Sequence, residues 1–83
     1  MDKMEKYTFA QYNGKNIVLL SRQWEGAWIA HKITNTGLVL PIDHIVLEKN
    51  IDMIEPVKIK DSELNRLNTY HNDFVKYYKN LDL

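Results

Sequence analysis

Residues 25–46 constrain the fold more tightly than any other part of the chain. Glu25-Gly26 closes a turn begun at Arg22, and a tryptophan-bearing strand follows over residues 27–33. Thr34-Asn35-Thr36-Gly37 is a second turn, in which Asn35 and Gly37 can take the left-handed conformations that a reversal needs. Leu38-Val39-Leu40 then reads as a short fourth strand. Pro41 ends it, because a proline nitrogen cannot donate to a strand ladder. Ile42-Asp43-His44 is short enough for a single 3₁₀ turn, and Ile45-Val46-Leu47 reads as a closing strand.

The residues before this stretch extend the same pattern. Residues 6–12 are β-prone, with Tyr7, Phe9 and Gln11 on one face and Thr8, Ala10 and Tyr12 on the other. Asn13-Gly14 accepts the two positive φ angles of a type I′ turn, a strong hairpin signal. Residues 15–21 should return antiparallel, and Ile17-Val18-Leu19-Leu20 is apolar on both faces, as a strand buried on both sides requires. Residues 48–55 suggest irregular structure. Val57-Lys58-Ile59-Lys60 alternates like a sixth strand at a sheet edge.

Over residues 17–47 this pattern resembles the second half of an SH3-type small barrel. The family's ligand-binding tryptophan corresponds to Ala27, its second, structural tryptophan to Trp28, its proline to Pro41 and its binding-site tyrosine to His44. Only a short strand and the Asn13-Gly14 turn stand where eukaryotic members carry a long acidic loop. The short first hairpin is similar to Tudor, KOW or bacterial SH3-like barrels. The resemblance implies a scaffold rather than polyproline recognition, which needs an aromatic-lined groove, and the scaffold alone does not set function.

From Asp61-Ser62, either of which can act as an N-cap, the period changes. Leu64, Leu67, His71, Phe74, Tyr78 and Leu81 recur at three- and four-residue spacing and form one helical stripe. The expected fold is α+β, mainly β: an SH3-like antiparallel small barrel of five or six strands over residues 5–60, with one C-terminal amphipathic helix over residues 62–81. Both belong to a single domain of 83 residues, whose core is small for its surface. An isolated helix of that length is marginal, so its stripe must dock on the parent barrel or on a second copy. Monomer and homodimer through the helix both stay open.

Composition narrows the functional classes. Eleven basic and eleven acidic residues cancel, so no long-range field draws the chain to nucleic acid or anionic lipid. Cysteine is absent, which removes disulfides, thiolate metal sites and thiol catalysis. The charged residues 1–6 lead into no apolar signal segment, and no apolar run approaches the length of a membrane span. A soluble, cytoplasmic protein is expected. Nine of the eleven basic residues are lysine, a bias that fits AT-rich coding sequence and suggests a low-GC bacterium or one of its phages or plasmids.

No catalytic constellation stands out. Asp43 and His44 are adjacent and should project apart, and His31, His44 and His71 lack a short metal-ligand spacing. No enzyme activity, cofactor or metal is expected. Trp28, in mid-strand, reads as core. Trp24 lies in a predicted turn among Arg22, Gln23 and Glu25, where it either folds back over the protein or anchors a partner, as tryptophan beside arginine often does. The candidate binding residues are Trp24, Arg22, Glu25, Tyr12 and His44. The expected function is a small non-enzymatic protein-interaction module, such as an accessory or host-modulating factor of a bacterial mobile element. The alternative is a nucleic-acid-binding barrel with Tyr7, Phe9, Tyr12 and Trp24 as stacking platforms.

Overall fold

The computed structural model describes residues 4–81; residues 1–3 of the charged N-terminal stretch lie outside the described residues. Strands β1 (Phe9–Tyr12), β2 (Lys15–Trp24), β3 (Ala27–Ile33), β4 (His44–Leu47) and β5 (Asp52–Met53) form one antiparallel sheet in the order β4-β3-β2-β1-β5. Helices α1 (Asp61–Tyr70) and α2 (Asn72–Lys79) follow. The protein is thus α+β and mainly β, as expected, but the sheet is not closed: β4 and β5 are its two edges.

The Asn13-Gly14 turn forms as the sequence predicts, with φ of 51° and 75°. The first strand is shorter than expected. Tyr7 turns into the left-handed region, at φ 73°, and its N–H donates to Leu19 O at 2.7 Å.

Two apolar clusters occupy opposite faces of the sheet, because successive strand residues alternate sides. Val18 joins Phe9 and Ile33 beneath Leu64, Leu67, Phe74, Val75 and Tyr78 of the helices. Ile17 and Leu19 join Ala10, Trp28, Ala30, Val46 and Ile51 on the other face. Val46 belongs to one edge strand and Ile51 stands just before the other, so the sheet curls around this second cluster without its edges pairing. Register shifts at Leu19/Ser21 and Arg22/Trp24 mark two bulges in β2, and bulges increase the local twist that such curling needs.

Several expected elements differ. Residues 38–40 meet the sheet only at the isolated bridge Ile33↔Val39, flanked by Thr34 N–H to Leu38 O at 2.8 Å and Leu40 N–H to Lys32 O at 2.9 Å, while the Val39 N–H faces away from β3 and donates to Glu63 Oε2 at 2.7 Å. The 3₁₀ turn falls at Glu48–Asn50, not at residues 42–44, and His44 already belongs to β4. The expected sixth strand at residues 57–60 is absent. Its donors are taken elsewhere: Ile59 N–H by Tyr78 Oη at 2.9 Å, and Lys60 N–H by Gly37 O at 3.0 Å. Residues 52–53, expected to be irregular, pair with β1 and supply the fifth strand.

The single C-terminal helix is two helices. His71, at φ −140° and ψ 55°, leaves helical geometry and is exposed rather than on the buried stripe. Thr69, Asn72 and Asp73 are poor helix-interior residues, and Asn and Asp favour helix starts. Neither Asp61 nor Ser62 caps α1. Lys60 is the N-cap residue without a side-chain bond, and Asp61 and Glu63 instead place negative charge in the first turn, where the helix dipole favours it.

Glu63 is the one buried charged residue among those described, at 5% exposure. Its carboxylate accepts from Arg66 Nε at 2.7 Å, Arg66 Nη2 at 2.8 Å and Val39 N–H, which clasps residue 39 to α1. The Arg66 hydrogen bond, helped by the Val39 N–H and the guanidinium charge, holds the Glu63 carboxyl below its ordinary value of 4.5 against the opposing effect of burial. A carboxyl with a lowered folded pKa adds stability above its unfolded value, and that contribution is lost as pH falls through the folded one. Melting temperature should therefore drop more steeply below pH 4.5 in the native protein than in Glu63→Gln. Parallel acid profiles would show that the clasp contributes nothing.

Candidate interaction surface

The candidate surface is the hairpin tip between β2 and β3 with the strands beside it. Trp24 pairs with Ala27, leaving Glu25-Gly26 as a two-residue turn with Gly26 at φ 84°. The tip is tied down from behind, since Glu48 N–H donates to Gly26 O at 2.8 Å. Strand β2 is longer than expected and runs to Trp24, so Arg22 and Trp24 are strand residues and only Glu25 is in the turn.

The bulge between Arg22 and Trp24 decides which side chains meet. Arg22 pairs with Trp28 and Trp24 with Ala27. Neighbours on β3 point to opposite faces, so Arg22 and Trp24 do too. Arg22 does not flank Trp24: its guanidinium lies 4.6 Å from the Trp28 ring centroid and its Nη2 is 3.4 Å from Glu48 Oε1. Trp28 is buried at 4% exposure and donates from Nε1 to the same Glu48 oxygen at 2.8 Å. It is a core residue, as its sequence position suggests.

Trp24 is open to solvent, at 55% exposure. Its face of the sheet carries more apolar area than the sequence reveals. Ala27 pairs with Leu47 and Ile29 with Ile45, and residues opposite each other on paired strands share a face. Leu47, Ile29 and Ile45 therefore lie on Trp24's side, with Leu47 and Ile29 half-buried and Ile45 at 57% exposure. Neither Ile29 nor Ile45 stands out in the sequence as a site residue. The alternation His44-Ile45-Val46-Leu47 allows this closing strand only one buried face, and Val46 takes it, at 3% exposure.

The other candidates do not join this surface. Tyr12 is half-buried against the second cluster, opposite Lys15 at the far end of the ten-residue β2. His44 is half-buried opposite Ala30, on the face away from Ile45. Asp43 pairs with His31, at 2.7 Å, rather than with the adjacent His44. Among the described residues no three His, Asp or Glu side chains gather where they could hold a metal ion, and no helix is long and apolar enough to cross a membrane.

Compared with protein-family models, with curated proteins and with solved structures, the chain matches none.

Proposed function

We propose that this chain is a small non-enzymatic interaction module of SH3-like barrel type that docks a protein partner on the face holding Trp24. The exposed Trp24 ring carries the reading. With Ile45 on the same face, it gives a two-residue apolar anchor with half-buried Ile29 and Leu47 around it, and Glu25 at the turn as a polar edge. Arg22 serves the fold behind this face rather than the rim of the site. The barrel type is supported by the order β4-β3-β2-β1-β5, in which the last strand returns to the first, and by the shared cluster of Val46 and Ile51. A cytoplasmic factor of a low-GC bacterium or its mobile elements fits the composition.

The nucleic-acid reading has less support. Of its four stacking candidates, Phe9 is buried, Tyr12 is half-buried, and the Tyr7 ring packs 5.3 Å from both Phe74 and Tyr77. Trp24 alone is well exposed.

Covering the Trp24 ring recovers about 2 kcal/mol, by the usual worth of buried apolar area and of aromatic hot spots. Trp24→Ala should leave the melting temperature nearly unchanged and weaken partner capture at least about tenfold. Ile45→Asp should do the same. Undiminished capture by both variants would sink the proposal, and tight binding of mixed oligonucleotides at moderate salt would favour the nucleic-acid reading.

A further inference from the structure

A cleft of about 250 Å³ opens between the helix-covered face of the sheet and the joint between α1 and α2. Val18, Leu67 and Phe74 form its apolar wall. Tyr7 adds an aromatic side, held by a left-handed backbone that is uncommon for a bulky residue. Apart from that phenol, every titratable group lining the cleft is basic: Lys6, His31, Arg66 and His71.

Two of these have acidic partners, His31 in Asp43 and Arg66 in Glu63. Arg66 nevertheless keeps donors in reserve. Its Nε and Nη2 are engaged with Glu63 and with Val39 O, which fixes the planar guanidinium, while Nη1 has no partner among the described residues. Lys6 makes no salt bridge among the described residues, and its Nζ stands 5.0 Å from the Tyr7 ring centroid. The cleft thus pairs an apolar interior with anion donors and no exposed carboxylate in its lining.

We propose that this cleft binds a small amphiphilic carboxylate. The apolar body lies between sheet and helices, where water gains by its burial. The carboxylate stays at the mouth, on Arg66 Nη1 and the Lys6 ammonium, in charge-assisted hydrogen bonds. The cleft shares no lining residue with the Trp24 surface and stands whether or not a protein docks there.

Octanoate is a suitable probe, titrated into the intact chain while backbone amide resonances are followed by NMR. Saturable shifts are expected at Val18, Leu67, His71 and Phe74, with Trp24 and Ile45 unmoved. Octanol, of similar length without the charge, should bind about tenfold more weakly, as loss of a charge-assisted bond implies. Lys6→Glu should lower octanoate affinity by a similar factor without changing the melting temperature, because Lys6 is exposed. Octanol binding as tightly as octanoate, or no saturable shift through the millimolar range, would overturn the assignment.

Discussion

Replacing Phe74 with alanine should destabilise the protein by about 3–5 kcal/mol, the usual cost of emptying a buried aromatic site. The ring is 3% exposed at the centre of the helix–sheet interface, with centroids 5.3 Å from Tyr7, 6.4 Å from Phe9 and 6.1 Å from Tyr78. A domain of this size has little stability to lose, so the variant should be largely unfolded or melt far below the native protein. Circular dichroism melting checks this directly. An unchanged melting temperature would mean that the helices are not docked on their own sheet in solution. The apolar stripe that made a homodimer conceivable is otherwise covered within the chain, since Leu64, Leu67, Phe74, Val75 and Tyr78 share one cluster with Phe9, Val18 and Ile33.

Gly37→Ala should be nearly as damaging, at about 3 kcal/mol or more. The backbone there has φ 85°, and a left-handed conformation costs a non-glycine residue about 1–2 kcal/mol. A Cβ at this position would also stand 2.8 Å from Lys60 N and 2.9 Å from Lys58 O, both backbone atoms that cannot swing aside. Relieving the clash breaks the Lys60 N–H to Gly37 O bond that seats the chain before α1, which adds roughly another 1 kcal/mol. Gly14→Ala is the control. It has a similar φ of 75° but nothing within 4 Å of the added atom, so only the conformational cost applies. Equal melting temperatures for the two variants would show that the close approach to residues 58–60 is not part of the folded state.

Much of the secondary structure was legible because its causes are local. Asn13-Gly14 permits one kind of reversal, Gly37 permits a left-handed turn, and the three- and four-residue spacing from Leu64 to Leu81 puts one face of a helix inward. The boundaries that came out differently have partners distant in sequence. Val39 N–H goes to Glu63, 24 positions away, and Ile59 N–H to Tyr78, 19 away, so in two segments with strand-like patterns a backbone donor is taken by a helix side chain rather than by a further strand. Side-chain competition of this kind leaves no periodic trace.

The candidate site divides along the same line. That Trp24 stands near a turn and Trp28 in a strand follows from sequence alone, and exposure of the one and burial of the other agree with it. Which residues accompany Trp24 was decided by a single bulge. One extra residue between Arg22 and Trp24 sends their side chains to opposite faces, because a strand alternates sides with every residue. Arg22 is thereby turned to Trp28 and Glu48, and strand register brings Ile45 and Ile29 to Trp24's face in its place. Sequence determined the strand propensities, the turns and the amphipathic helical stretch, since each depends on neighbours within a few residues. Register, the open sheet edges, the break at His71 and the basic lining of the cleft were decided only by tertiary structure, because each depends on contacts between segments far apart in the chain.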